Sequence, residues 1–237
     1  FVIAHTKSDY SDTRKKPNSL LYYQDQDRNE SFWVTYDNEI DEWTQGYLGD
    51  APEKPSKYIE SAAGSKYNNG YSFAKEAPAK DIKAATIRIE ADSVATNSRA
   101  TTITILPQRD THELFVYLDK EFKFETLEFN GKKVSQDTSV SDFKNRPSDL
   151  LLRYYVADND SLEIKYSTIK MTMPSFSVME FSFDLMTHPQ FSINKRPAHM
   201  MPMPFVNTDA IVTKKTFVLD SMSVRKRDLI SLEIIQE

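Results

Sequence analysis

Apolar and polar residues alternate along much of this chain, and a period of two predicts β-strands with one buried face. Ile87, Ile89 and Ala91, for example, alternate with polar residues, and similar short stretches recur through residues 84–237, separated by residues typical of turns. Long helical periodicity is nearly missing. The pattern predicts an all-β fold, an antiparallel β-sandwich that is jelly-roll-like or Ig-like, with an N-terminal hairpin and one short helix.

Turn signals predict which strands form hairpins. Asn130-Gly131 is the dipeptide most typical of a two-residue type I′ turn, and clusters of Asp and Asn predict two other turns. Together with the alternating stretches, these turns delimit at least eight short strands. The predicted hairpins span residues 20–36, 122–134 and 150–166, and further strands are predicted at 176–185, 211–219 and 229–235.

The short helix is predicted directly after the first hairpin. Asp37 or Asn38 can cap its first turn, and Gly49 ends it. Because a hairpin and a one-faced helix cannot bury their aromatic side chains alone, we expect both to pack against the rest of the chain. The apolar face of the predicted helix is formed by Ile40, Trp43, Tyr47 and Leu48.

We expect a single β-rich domain over residues 1–237, built from three parts. Residues 1–50 form the hairpin-helix segment, residues 84–237 form the sandwich, and residues 51–83 connect them. The connector carries several Pro and Gly residues, and a loop of this length has to be packed down within a compact domain. The side chains expected to do so are Tyr58, Tyr67, Tyr71 and Phe73.

Composition and charge exclude several classes of function. The 237 residues include 30 basic and 35 acidic ones, a net charge of -5, so no basic surface is expected to bind nucleic acid. No apolar run approaches the roughly 18–20 residues that span a bilayer. Cysteine is missing, which excludes disulfides, thiol catalysis and Cys-ligated zinc. The chain starts at Phe1 rather than Met, and we expect it to be part of a longer protein.

Motifs for catalysis or cofactor binding are not found. His5, His112, His188 and His199 are far apart in the sequence, and none lies in a His-Glu-x-x-His motif. The five glycines form no phosphate-binding loop, no dinucleotide fingerprint and no Gly-x-Ser-x-Gly turn. We therefore expect this chain to contain no catalytic residue, no cofactor and no metal site.

Two stretches contain residue types that bind metals, but their spacing is only a weak indication of a metal site. Asp25, Asp27 and Asn29 resemble a calcium-binding run but lack the central Gly and closing Glu of an EF-hand, so a solvated Asx-rich turn is favoured. The run from His199 to Pro204 combines an imidazole with three methionines, a ligand set that suits copper(I). Because methionine more often fills irregular gaps in a core, packing is favoured there too.

Aromatic residues raise a second functional hypothesis. The chain has 14 Phe, 12 Tyr and 2 Trp, enough for a surface on which sugars could stack. Aromatic side chains in strands of period two are more often part of the core. An independent β-sandwich module that binds a glycan or a peptide is therefore the alternative to a structural role.

Residues 1–50 and 190–220 carry short motifs rich in aromatic, charged and proline residues. They are Lys16-Pro17-Asn18-Ser19-Leu20, Asp25-Gln26-Asp27, Phe32-Trp33-Val34-Thr35-Tyr36-Asp37, Asp41-Glu42-Trp43-Thr44, Arg196-Pro197-Ala198-His199-Met200-Met201-Pro202 and Thr208-Asp209. In this order and spacing they resemble the C-terminal region of the membrane-bound family-28 metallopeptidases of the endoplasmic reticulum, the vacuole and bacteria. Gln26 departs from the family's usual Asp-Ala-Asp turn without changing the turn chemistry.

The resemblance implies a non-catalytic accessory domain of a membrane-bound zinc metallopeptidase. In that family a di-zinc aminopeptidase-like domain and several transmembrane helices precede a C-terminal domain on the periplasmic or lumenal side, which packs on or regulates the peptidase domain of the same polypeptide. The zinc ligands lie upstream, and none can be assigned to this chain. The residues expected to anchor the N-terminal part near the Arg196 loop are Trp33, Trp43, Arg196, Met200 and Met201.

Overall fold

Strands are the main regular secondary structure of this chain. The computed structural model describes residues 10–55, 70–134, 146–169 and 173–219, and it is 46% strand and 3% helix. Its larger sheets are antiparallel, so the predicted all-β fold is confirmed. Within the described residues, no helix is long and apolar enough to cross a membrane.

The described residues form fourteen strands and one short helix, α1, at Gln45–Leu48. In chain order the strands are β1 Lys16–Asn18, β2 Leu21–Asp25, β3 Glu30–Thr35, β4 Phe73–Glu76, β5 Thr86–Val94, β6 Arg99–Leu106, β7 Glu113–Tyr117, β8 Thr126–Phe129, β9 Lys132–Lys133, β10 Leu150–Tyr155, β11 Leu162–Thr168, β12 Ser175–Ser182, β13 Met200–Pro202 and β14 Ala210–Val218. The predicted strand at residues 229–235 lies outside the described residues.

The chain divides into two compact units. Unit 1 comprises Phe1–Asp81 and Phe181–Val212, and unit 2 comprises Ile82–Glu180 and Thr213–Glu237. The chain therefore passes between the units three times, and two of these passages fall within β12 and β14. The expected partition into a hairpin-helix segment, a connector and a sandwich stays a prediction.

Unit 2 is a β-sandwich. One sheet has the strand order β5-β6-β11-β8-β9 and is antiparallel throughout, and the other contains β10, β7, β12 and β14 in that order. Alternate residues of the two sheets share one core: Ile103 and Ile105 of β6 are fully buried in it, as are Leu114 and Val116 of β7. The period of two along the sequence follows from this packing.

The predicted hairpin at Asn130-Gly131 is confirmed. Strands β8 and β9 pair on either side of it, with Phe129 opposite Lys132. Asn130 has φ 45° and Gly131 has φ 74°, the two left-handed conformations that a type I′ turn requires. The Asn130 Oδ1 also accepts a 2.7 Å hydrogen bond from the Glu163 amide, which attaches the turn to β11.

The predicted hairpin at residues 150–166 is wrong. Strand β10 pairs with β7, whereas β11 pairs with β6 and β8. The turn itself is present, with Asp158 and Asn159 at φ 50° and 59°, but it carries the chain from one sheet of unit 2 to the other. Turn residues determine where a chain reverses, whereas the partner of a strand depends on side chains far away in sequence.

Unit 1 is built on the predicted hairpin of residues 20–36, which is confirmed. Strands β2 and β3 pair antiparallel, with Tyr23 opposite Phe32. The N-terminal part of β14 flanks β2, and β4 continues the sheet beyond β3. Strand β4 was not predicted, since it lies in the expected connector. A separate parallel pair joins β1 to β13, with Lys16 opposite Met200.

The expected packing of the connector is confirmed where the structure describes it. Tyr71 is 6% exposed, and its ring centre lies 4.8 Å from that of Tyr36. Phe73 is half-buried in β4. Tyr58 and Tyr67 lie outside the described residues.

The predicted start of the helix is wrong, and its predicted end is confirmed. Helix α1 begins at Gln45, and Thr44 rather than Asp37 or Asn38 occupies the N-cap position. The preceding residues are held in a tight turn instead, because the Asp41 carboxylate accepts hydrogen bonds from the backbone amides of Trp43 and Thr44. Gly49 ends the helix with φ 70°, a conformation that favours glycine.

Candidate functional site

Three distant parts of the sequence meet in unit 1 around a partly buried arginine. Strand β1 runs beside β13, and the Lys16 amide donates a 2.8 Å hydrogen bond to the His199 carbonyl oxygen. Residues 37–44 lie against this pair through side-chain hydrogen bonds. We call the central group of side chains the Arg196 network; its members are Asn18, Asp41, Trp43, Arg196, Met200 and Asp209.

Arg196 is held on three sides. Its Nη1 and Nη2 donate hydrogen bonds of 2.9 and 2.6 Å to the two carboxylate oxygens of Asp209, a bidentate pair. Its Nε donates a 2.6 Å hydrogen bond to Asn18 Oδ1. The guanidinium carbon lies 4.5 Å from the centre of the Trp43 ring, a cation–π contact. Since the side chains of Arg196 and Asp209 are 10% and 17% exposed, this planar recognition takes place largely out of water.

Trp43 connects the network to the segment before β13. The side chain is buried, at 6% exposure, and its indole Nε1 donates a 2.9 Å hydrogen bond to the Asn194 carbonyl oxygen. The Asn194 amide in turn donates a 2.7 Å hydrogen bond to the hydroxyl oxygen of Tyr47 in α1. The indole therefore buries a large apolar surface while its one polar group is satisfied.

Asp41 is a buried carboxylate whose charge is fully engaged. Its Oδ1 accepts hydrogen bonds from the amides of Trp43 and Thr44, at 3.0 and 2.8 Å. Its Oδ2 accepts a 2.9 Å hydrogen bond from Asn18 Nδ2 and lies 3.8 Å from Lys16 Nζ. Burial alone would raise the pKa of Asp41, but the hydrogen bonds from Thr44 and Asn18 and the charge of Lys16 lower it below its usual value.

The five predicted anchor residues are only partly brought together. Trp43 and Arg196 are in contact, and Met200, which is 3% exposed, joins them because its sulfur accepts a 3.2 Å hydrogen bond from Asn18 Nδ2. Met201 pairs with Pro17 through its backbone position, but its side chain is 38% exposed. The anchoring role of all five residues stays a prediction.

Trp33 belongs to a neighbouring aromatic cluster. Its ring centre lies 5.3 to 5.9 Å from those of Tyr22, Tyr47 and Phe191, mostly edge to face. Tyr47 also contacts Trp43, at 5.8 Å, so the cluster touches the Arg196 network at this pair of rings. The rings pack on one another in the way of core aromatics. A glycan- or peptide-binding role stays a prediction.

The copper(I) hypothesis concerns the run from His199 to Pro204, in which Met200 is buried and Met201 is exposed. His199 Nε2 lies 2.9 Å from Glu42 Oε1, whereas the sulfur of Met200 is buried beside Asn18. Among the residues that the structure describes, no group of three His, Cys, Asp or Glu side chains could hold a metal ion. The imidazole and the buried thioether thus have separate partners.

The aspartate-rich turn of the first hairpin is an Asx turn, as predicted. Asp25 Oδ1 accepts hydrogen bonds from the backbone amides of Asp27 and Arg28, at 3.0 and 3.3 Å. Asn29 then takes a left-handed conformation with φ 55°. The carboxylate of Asp25 therefore organises its own backbone, as short polar side chains do in turns.

A cleft of about 220 Å³ lies where the first hairpin meets the end of β4. Its volume is small beside those of most ligand pockets, and it contains none of the predicted anchor residues. It brings together two carboxylates, Glu30 and Glu76, at the rim of the sheet. The lining residues are Asn29, Glu30, Ser31, Phe32, Glu76 and Ala77.

Glu180 is a buried carboxylate of unit 2 that ties four segments together. The residue is 1% exposed. Its Oε1 accepts a 3.0 Å hydrogen bond from Thr111 Oγ1, and its Oε2 accepts hydrogen bonds from Thr213 Oγ1, at 3.2 Å, and from the Ala85 amide. Because these donors are fixed within the unit, the carboxylate serves to join its segments.

The sequence alone did not single out Asn18, Asp41 and Asp209 as site residues. Each lies in one of the motifs that carry the metallopeptidase resemblance. This position was the feature of the sequence that could have marked them as site residues. Their role depends on contacts across 13 to 182 positions of sequence, which local patterns do not encode. Chemically, the network pairs every charge with a fixed partner and so suits the fastening of chain segments.

Comparison with known proteins does not identify a family. Neither protein-family models nor curated protein sequences give a match to this chain. The resemblance to the family-28 metallopeptidases therefore stays a prediction that rests on the short motifs themselves.

Proposed function

We propose that the chain is a non-catalytic accessory domain of a membrane-bound zinc metallopeptidase. It lies on the periplasmic or lumenal side of the membrane and packs on or regulates the peptidase domain of the same polypeptide. The observation that carries this proposal is the meeting of the motif segments in the Arg196 network. Side chains of those segments bind one another within unit 1, which is the arrangement expected of an accessory domain with a structural role.

The chemistry of the network supports a structural role over a catalytic one. A general acid or base has to reach a substrate proton directly or through one water molecule. Asp41 is 5% exposed, and its two oxygens already accept four hydrogen bonds. Arg196 directs its guanidinium at Asp209 and Asn18. These groups are committed to internal partners.

Zinc belongs, in this proposal, to the upstream peptidase domain. Zinc peptidases hold their metal with His and carboxylate side chains and keep one position open for water. The described residues contain no group of three such side chains, so they do not fit a zinc centre. The accessory domain then acts through contacts with the peptidase domain.

The proposal predicts that the purified chain does not hydrolyse aminoacyl substrates. Release of 4-nitroaniline from leucine 4-nitroanilide is followed with the chain over a range of zinc concentrations, and the rate should equal that of a protein-free blank. The parent polypeptide, which includes the upstream domain, should hydrolyse the substrate under the same conditions. Zinc-dependent turnover by the chain alone, abolished by a chelator, would refute the proposal.

A further inference from the structure

Asp37 is a second buried carboxyl group of unit 1, and it has a different environment from Asp41. It lies just after β3 and is 5% exposed. Its Oδ1 accepts two hydrogen bonds of 2.8 Å, from the amide and the hydroxyl of Ser19. Its Oδ2 is buried and has no hydrogen-bond partner among the residues that the structure describes. A buried carboxylate with one unpartnered oxygen is costly as an anion and much less so as a neutral acid.

The groups that hydrogen-bond around Asp37 are neutral, and they offset a negative charge there only in part. Thr35 Oγ1 donates its proton to the Ser19 carbonyl oxygen at 2.7 Å, and the Ser19 hydroxyl accepts a 2.8 Å hydrogen bond from the Tyr36 amide. These groups are neutral. The charge that acts on Asp37 is that of Asp41, which has the same sign. The nearby cation, Lys16, has its Nζ 3.8 Å from Asp41 Oδ2.

We propose that Asp37 is a proton-binding switch of unit 1. In mildly acidic surroundings its Oδ2 takes up a proton, and the neutral carboxyl holds the β1–β2 connection at Ser19 to the end of β3 more firmly than the anion does. In neutral surroundings the proton leaves, and the buried negative charge next to Asp41 loosens this junction. The switch is independent of the peptidase proposal.

The direction of the effect follows from the titration of Asp37. Burial raises the pKa of Asp37 from 3.8 to about 6. Hydrogen bonds from Ser19 and Thr35 oppose this rise, and the negative charge of Asp41 adds to it. The stability that this proton contributes is fully present below pH 3.8 and declines as the pH rises to about 6. Across that window the unfolding equilibrium constant should increase on the order of a hundredfold.

Denaturant unfolding of the wild type and of Asp37→Asn between pH 4 and pH 7.5 tests the switch. Asparagine keeps an oxygen for Ser19 and stays neutral, so the unfolding constant of the wild type, relative to that of the variant, should rise on the order of a hundredfold with pH. Asp12→Asn, which changes an exposed aspartate, should follow the wild type. A ratio between wild type and Asp37→Asn that does not change with pH would overturn the proposal.

A second measurement covers the case in which Asp37→Asn does not fold. The carboxyl carbon of Asp37 in the wild-type chain is followed by ¹³C NMR as the pH is changed. A midpoint near pH 6 supports the switch, and hydrogen exchange at the Ser19 and Tyr36 amides should then be slower, after correction for intrinsic rates, at pH 5 than at pH 7. A midpoint at or below about pH 4, the usual range of aspartate, would contradict it.

Discussion

Two aspartates four residues apart show how local hydrogen bonding decides the state of a buried carboxyl group. Asp37 and Asp41 are both 5% exposed. Both oxygens of Asp41 accept hydrogen bonds, and Lys16 lies nearby, whereas one oxygen of Asp37 has no hydrogen-bond partner in the described part of the chain. The pKa of Asp41 is lowered and that of Asp37 is raised. Low exposure of the residue therefore does not by itself decide the direction of the pKa shift, which also depends on hydrogen bonds and neighbouring charges.

Asp41→Asn should change stability with pH in the sense opposite to Asp37→Asn. Because the pKa of Asp41 is lowered in the folded chain, its stabilising contribution is present above the usual aspartate pKa of 3.8 and is lost as the pH falls through the lowered value. The wild type should therefore have a higher free energy of unfolding than Asp41→Asn, and the difference should be largest near pH 6. This difference should shrink when unfolding is measured at pH 2 to 3, and a constant difference would contradict the assignment.

Turns are the elements that the sequence predicts best. The type I′ turn at Asn130-Gly131 and the Asx turn at Asp25 were predicted because a few adjacent residues determine their backbone conformation. Strand β4 and the true partner of β10 were not predicted. The first lies among Pro and Gly residues, and the second depends on how two sheets of unit 2 share their core.

A pair of glycine substitutions tests the turn assignment. Gly131 has φ 74°, whereas Gly46 lies in α1 with no atom within 4 Å of an added Cβ. Gly131→Ala should lower the free energy of unfolding by about 1 kcal/mol because alanine is strained at positive φ. Gly46→Ala, the matched control, should leave it unchanged or raise it by roughly 0.5–1 kcal/mol. Thermal or denaturant unfolding measures both, and equal effects would argue against the type I′ turn.

For the molecule as a whole, the fold class was predictable and the candidate site was only partly so. Alternation of apolar residues indicated strands, and the sandwich of unit 2 satisfies that pattern. The motifs around Trp43 and Arg196 contain two side chains that contact each other in the Arg196 network. Asn18 and Asp209, the hydrogen-bond partners of Arg196, were not identified from the sequence. Hydrogen bonds between distant side chains produce no periodic pattern of residues that could predict them.

The central claim is that the motifs of this chain form an internal anchor, and the unfolding free energy of Arg196→Ala tests it most directly. Removing the guanidinium leaves the Asp209 carboxylate without its bidentate partner, and Asn18 Oδ1 loses the hydrogen bond that it accepts from Arg196 Nε. The free energy of unfolding should therefore fall by about 3–5 kcal/mol. Lys195→Ala, at an exposed neighbouring position, should change it by less than about 0.5 kcal/mol. An Arg196→Ala variant as stable as the Lys195→Ala control would contradict the claim.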